Sequence, residues 1–414
     1  FNRFDFNSIF LMPPALFTQF EVEFNHIENH GLTLQQFVST PKKRGQLIEQ
    51  WTADYHSAPD VLIMSPQIFM KHSQALRRAG YMSVFWDECH MGCGKESNKI
   101  YRAVDEFMKF AGKMTYRLIL STGSPMPNNL YDVYPIIKRQ IMVRTPYREI
   151  MRNIPDHDQY RNTGKVSKWL MHNAVRRTKQ EVLNIDAPNI QTVPVKLSPS
   201  HMKLYRKVLK NKLFEVDGEM VDARHQQKLR QVALQLAVNP RVASEEGHVA
   251  QNVPLETAQA LMDSVNMDQT KVVMFANYNS TVEMLQEHFQ HYNPAVIYGQ
   301  NTGEKNRQQI TKFREDGTCR LLIANPIAGG VGIKAGDVSQ TVIFFEPVST
   351  PGQFDQAVSR VILKGQTEPV TAYILEIQNT ISPSLIELML GKAKTLVEVT
   401  KDKKSVFDNL IGKC

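Results

Sequence analysis

The stretch "VFWDECHMGCGKESNK", residues 84–99, decides how this chain folds. Three bulky apolar residues run straight into Asp87 and Glu88, a cysteine intervenes, His90 follows, and another cysteine stands at 93. Three readings compete: a metal centre, an acid/base pair, or the polar end of a buried strand. For zinc, Cys89, His90 and Cys93 are close, yet no second cysteine or histidine pair with ligand spacing lies nearby to complete four ligands. An acidic pair ending an apolar strand suits phosphoryl chemistry: the first carboxylate holds a hydrated Mg2+ and the second orients or deprotonates a water. A lone Asp-Glu would read as a solvated strand end, so its surroundings decide.

Working outward, short apolar runs recur and each ends abruptly in small or polar residues. They are "VLIMSP" at 61, "SVFWDE" at 83, "RLILSTGSP" at 117, "KVVMFANY" at 271, "LLIANP" at 321, "TVIFFEP" at 341 and "TAYIL" at 371. Continuity without in/out alternation predicts strands buried on both faces, as in parallel sheets covered by helices. Helical patterns lie between them, such as "STVEMLQEHFQHY" and "EKNRQQITKFRED". The runs group into 61–125 and 271–375. In the interval, "SPSHMKLYRKVLKNKLFEV" and "ARHQQKLRQVALQLAVNP" read as basic amphipathic helices. The predicted class is α/β: two parallel-sheet lobes with a helical insertion between them. Residues 141–165 read as an irregular connection. Ligands of open parallel sheets sit beyond the carboxyl ends of strands, which directs attention to Ser65, Asp87, Ser121, Asn277 and Asn325.

The bulk properties agree. A chain of 414 residues exceeds one usual core, so two domains plus insertions are expected. The 49 Lys+Arg against 41 Asp+Glu leave +8, compatible with a polyanionic partner and equally with an ordinary basic surface. Cys89, Cys93, Cys319 and Cys414 make no disulfide framework and suit a reducing compartment. With no signal peptide and no run of 18 apolar residues, the expectation is a soluble intracellular protein without a membrane partner, cytoplasmic if bacterial or viral and nuclear if eukaryotic.

"DECH" resembles the D-E-x-H Walker B box of superfamily 2 helicases, and "LILSTGSPMPNNLYDVYPII" at 118 resembles the third motif in its Swi/Snf form, with Ser121 to Pro125 as the turn and Asn128, Asn129 and Leu130 after it. The likeness extends along the chain. "LMPPALFTQFEVEF" at 11 is similar to motif Ia, "VLIMSPQIF" at 61 to motif Ib, and "AVRRTKQEVL" at 174 to the basic entry into a helical protrusion. "KLRQVALQLAVNP" at 228 resembles a later helix of that protrusion, and "KVVMFANYNSTVEML" at 271 resembles motif IV. The stretch from "LLIANPIAGGVGIKAG" through "QAVSRVILKGQ" resembles motifs V and VI, and "SLIELMLGKAKTLVEV" at 384 a bracing C-terminal helix. The chain resembles Swi/Snf-type DNA translocases.

That resemblance implies two RecA-like lobes with ATP and Mg2+ in a cleft: residues 1–150 as the first lobe, 151–255 as protrusion and linker, 256–382 as the second lobe and 383–414 as the brace. It implies that Asp87 holds the metal, Glu88 positions water, and His90 couples the site. Gln356 and Arg360, four apart and so on one helix face, reach the nucleotide. Gly123, Gly330 and Gly332 allow close approach to phosphate, and Lys364 is a further candidate there. Ser65, Thr122, Arg176, Arg177 and Lys179 are the implied contacts to double-stranded DNA, made through its backbone without base readout. For "RRTK" a solvated basic helix face is the alternative.

Two departures shape the expectation. No P-loop is present: "GCGKES" at 92 follows the acidic pair instead of preceding motif Ia and reads as a loop. With Phe1 at the start, truncation and weak ATP binding are expected. In motif VI, Leu363 replaces the family's second arginine, with Lys364 rotated by about 100° on a helix and lacking the guanidinium fork. The leading expectation is an ATP-dependent double-stranded-DNA translocase. The alternatives are a catalytically silent nucleic-acid-binding module and another superfamily 2 helicase.

Overall fold

The computed structural model describes residues 7–411 apart from 28–30, 39, 94–97, 110–117, 127–129, 134–135, 137–162, 184, 212, 217–218, 223–225, 247–248, 250, 266–269, 300–302, 327–334, 364–365, 367–368 and 403. The connection predicted at 141–165 falls almost wholly outside the described residues, as do Asn128, Asn129, Gly330, Gly332 and Lys364. The chain divides into two compact units, Phe1–Thr163 and Gly164–Cys414.

In the first unit, β1 (Asn7–Leu11), β2 (Leu34–Gln36), β3 (Val61–Met64), β4 (Tyr81–Trp86) and β5 (Leu118–Leu120) form a parallel sheet in the order β2-β3-β1-β4-β5. Its helices are α1 (Phe17–Asn25), α2 (Pro41–Ala53), α3 (Pro66–Arg78), the short α4 (His90–Cys93) and α5 (Lys99–Lys109). Successive strand residues face opposite sides, and the packing follows that parity. Ile9 and Leu11 with Leu62 and Met64 join a cluster with Phe69, Leu76 and Phe107. Phe10 and Met12 with Val61 and Ile63 join Phe17 and Phe24 on the other face. Burial on both faces is why β3 reads as an unbroken apolar run.

The second unit holds α6 (Thr163–Asn173, starting at the boundary), α7 (Lys179–Leu183), β6 (Asn189–Val195), α8 (Pro199–Asn211), a hairpin of β7 (Leu213–Val216) and β8 (Glu219–Asp222), and α9 (Gln226–Val238). There follow α10 (Val253–Ser264), β9 (Lys271–Phe275), α11 (Asn279–His288), β10 (Ala295–Ile297), α12 (Gly303–Glu315), β11 (Leu321–Ala324) and β12 (Ser339–Phe344). The unit closes with α13 (Pro351–Ser359), β13 (Thr371–Ile377), α14 (Ser382–Thr400) and α15 (Asp408–Ile411). The main sheet is parallel, ordered β10-β11-β9-β12-β13-β6. Val272 and Met274 face a core with Leu236, Leu255, Met262 and Leu285. On the opposite parity, Phe275 stacks on Phe344, Phe344 on Phe354 of α13, and Phe354 lies against Phe407, with centroids 5.5, 4.8 and 5.7 Å apart.

All seven apolar runs are strands, and the class is α/β with two parallel sheets, as predicted. Two segments differ. Residues 213–216, read as the tail of a helix, form a strand because the helix stops at Asn211. Asn189–Val195, read inside the helical insertion, pairs along its whole length with β13 as the sheet's edge. An edge position accommodates Pro194, which lacks a ladder donor. Among the described residues, no helix is long and apolar enough to cross a membrane.

Candidate active site

The sheet order of the first unit places the ends of β3, β1, β4 and β5 side by side. Asp87 N–H donates to the Leu11 carbonyl at 2.8 Å, Ser121 N–H to Trp86 at 2.8 Å, and Cys89 N–H to Ser121 at 3.0 Å. The acidic pair is thereby sewn to both neighbouring strands. Cys89 is buried in the core below, while Asp87, Glu88 and His90 remain partly exposed at the edge. Glu88 has a φ of 48°, a left-handed backbone that a non-glycine residue adopts at a cost.

His90 Nδ1 lies 2.8 Å from Thr122 Oγ1 and 3.2 Å from Glu88 Oε2. A carboxylate beside Nδ1 favours the tautomer carrying its hydrogen there, and the shorter contact directs that hydrogen to Thr122, which also accepts Ser124 N–H at 3.0 Å. Glu88 Oε2 is then buried without a hydrogen bond of its own. Burial raises the Asp87 carboxyl above its ordinary value, a hydrogen bond from Ser121 opposes this, and the Glu88 charge adds to it. Two crowded carboxylates, one with an unsatisfied oxygen, fit a divalent cation or a polarised water.

Ser65 and Gly123 are the remaining residues expected at this edge. Ser65 is buried and caps α3 by accepting Ile68 N–H at 3.3 Å. A side chain at Gly123 would meet open space, whereas one at Gly92 would collide with the Trp86 indole. Gly92 of "GCGKES" thus serves packing, and Gly94 lies outside the described residues.

In the second unit, Gln356 lies on α13 and Arg360 caps its end; both are partly buried. The Arg360 carbonyl accepts Ala335 N–H at 3.0 Å. A Cβ at Gly336 would fall 2.5 Å from the Val361 carbonyl oxygen and 2.7 Å from Leu363 Cγ, so the backbone at Gly336 lies flat against the turn at Val361–Leu363. Gln366 clamps that turn, donating to Val361 O and accepting from Leu363 N–H. Leu363 thus faces the backbone of Gly336. Arg176 forms an ion pair with Asp402, Lys179 donates to Ser359, and Arg177 is exposed.

Sequence reasoning missed Glu346. It is buried at the end of β12 and accepts Thr281 Oγ1–H at 2.7 Å, Asn277 N–H at 2.5 Å and Tyr278 N–H at 3.3 Å. Burial pushes its carboxyl up to about 7 despite these donors. The signal was present in "TVIFFEP", an acid ending an apolar run just as Asp87 does. Asn277 and Asn325 stitch this edge together: Asn325 Nδ2 donates to the Asn277 carbonyl and Asn277 Nδ2 to Pro347.

Comparison with known proteins places these features. Residues 7–244 match the SNF2-related domain and residues 256–365 the helicase conserved C-terminal domain. A CHD3-type chromatin-remodeling factor of Arabidopsis thaliana is 23% identical over 370 residues, covering 86% of this chain and 29% of the relative. An uncharacterized ATP-dependent helicase of Mycoplasma genitalium is 22% identical over 420 residues, covering 96% of this chain and 38% of the relative. The chain therefore spans well under half the length of either. The crystal structure of the C-terminal part of the Fun30 ATPase domain aligns at TM-score 0.41 and 15% identity, over 55% of this chain and 95% of that one. A strand-end Asp-Glu tied through His90 to the next strand's turn, lying within a family match that covers more than half the residues, makes this chain a member of the SNF2-related family, with a helicase C-terminal domain following.

Proposed function

We propose that this chain is the motor of an ATP-dependent double-stranded-DNA translocase, a DNA-stimulated ATPase that remodels protein–DNA complexes. The observation carrying this reading is the strand-end pair Asp87–Glu88, with Glu88 in a left-handed backbone and its Oε2 unsatisfied beside His90. Asp87 would hold a Mg2+ there, which would supply charge neutralisation for the phosphates. Glu88 orients the attacking water and accepts its proton. His90 reports the state of this edge to Thr122 on the following turn. In the second unit, Gln356 and Arg360 are the residues assigned to the nucleotide, together with Gly330, Gly332 and Lys364. The lobes are residues 1–150 and 256–382, with Asn189–Val195 added to the second.

Duplex binding rests on the chain's excess of cations and on exposed Arg177, and is expected to be salt-sensitive and indifferent to sequence. Leu363 packed on Gly336 favours slow turnover, and in its extreme form a silent DNA-binding module. ATP hydrolysis measured with duplex DNA, single strand, RNA and no nucleic acid decides between them. Duplex-specific stimulation is expected, and Glu88→Gln is expected to lower turnover by about 10²- to 10⁴-fold while duplex affinity is kept. Unchanged duplex-stimulated turnover in that variant removes Glu88 from the role.

A further inference from the structure

The basic stretch Arg176 to Lys179 is engaged within the second unit. Arg176 lays its guanidinium along Asp402, Nε 2.5 Å from Oδ1 and Nη2 2.7 Å from Oδ2, and the Asp402 side chain is only 4% exposed. Thr178 Oγ1 donates to the Lys404 carbonyl at 2.7 Å. Lys179 Nζ donates at 2.7 Å to the carbonyl of Ser359, the last residue of α13 and the neighbour of Arg360. Asp355, beside Gln356 on the same helix, feels both the Arg176 and Asp402 charges. From the other side, Asn409 Nδ2 donates to the carbonyls of Ala187 and Pro188, and Phe407 packs on Phe354. The segment before β6 and the tail after α14 therefore close together around the helix that carries Gln356 and ends at Arg360.

We propose that Arg176, Lys179 and Asp402 are positioning residues that hold α13 and so aim Gln356 and Arg360, instead of contacting DNA. A bidentate guanidinium–carboxylate pair fixes orientation as well as distance, which a lysine point charge does not. Lys179 meets the carbonyl end of α13, where a cation is favoured. The proposal deepens the hydrolysis reading above and rests on it, since aiming matters only if those two residues act on a nucleotide.

Arg176→Gln, Lys179→Met and Asp402→Asn are compared with the wild type by amide hydrogen exchange without nucleotide, by the salt dependence of duplex binding, and by ATP turnover. Faster exchange confined to residues 351–361, an unchanged salt slope, and a kcat reduced roughly 10- to 100-fold at constant KM are expected, with Arg176→Lys failing to restore kcat. Lys179→Met removes one exposed hydrogen bond, so it tests the idea even if an Arg176 variant unfolds. Unaltered exchange across 351–361, or a salt slope shallower by about one phosphate contact in the Arg176 or Lys179 variant, overturns the proposal. An inactive wild type overturns the hydrolysis reading instead, and the exchange result still decides whether these residues hold α13.

Discussion

His90 Nδ1 and Thr122 Oγ1 lie 2.8 Å apart, joining the residue just past the acidic pair to the turn that leaves the adjacent strand. Either side chain alone would be a surface polar group; together they make the end of β4 and the end of β5 one mechanical element. Thr122→Val, close in shape but without the hydroxyl, leaves His90 Nδ1–H with only Glu88 to approach. The expected result is a loss of duplex stimulation, with stability lower by about 1 kcal/mol and Thr122→Ser behaving as wild type. Turnover with and without duplex, alongside denaturant midpoints, measures both.

Glu346 makes stability depend on pH. Its carboxyl stands at about 7 in the folded chain against an ordinary 4.5, so the folded state keeps a proton that the unfolded state releases in between. The contribution is fully present below 4.5, declines as pH rises towards 7, and is flat above. Between pH 5 and pH 8 the wild type should lose roughly 2–3 kcal/mol relative to Glu346→Gln, read from urea unfolding of both at each pH. Parallel curves would show that Glu346 is ionised throughout.

Two glycines near the acidic pair should respond differently to alanine. At Gly92 the added methyl meets Trp86, which is 1% exposed and directly precedes Asp87. Overpacking there should cost about 1–3 kcal/mol and depress turnover by moving the end of β4. At Gly123 the methyl meets open space, so Gly123→Ala should leave the unfolding midpoint unchanged. Thermal unfolding of the two variants provides the comparison.

Strands were legible where burial on both faces left no polar residue to interrupt the run, as in "VLIM" at 61 and "KVVMF" at 271. The others escaped for physical reasons. β2 is "LQQ", β10 has three residues, and β1, the middle strand of its sheet, starts with Asn7 and Ser8. β6 is an edge, buried only at Ile190 and Val195, and it contains Pro194, so no apolar run marks it. The Asp217-Gly218 pair between β7 and β8 was an overlooked hairpin signal. At the site, Asp87, Glu88 and His90 could be found from their place at a strand end, whereas the Arg176–Asp402 pair spans 226 positions and no local pattern announces it. A run of cations looks the same in sequence whether it faces solvent or grips a carboxylate.

The left-handed backbone of Glu88 carries a consequence for how this chain tolerates change. Glycine at that position would relax the conformation by about 1 kcal/mol while deleting the carboxylate, giving a hardier but chemically mute protein. Stability-directed selection in the laboratory should therefore drift towards glycine at residue 88, and a natural lineage that keeps glutamate there is under pressure from something other than thermal endurance.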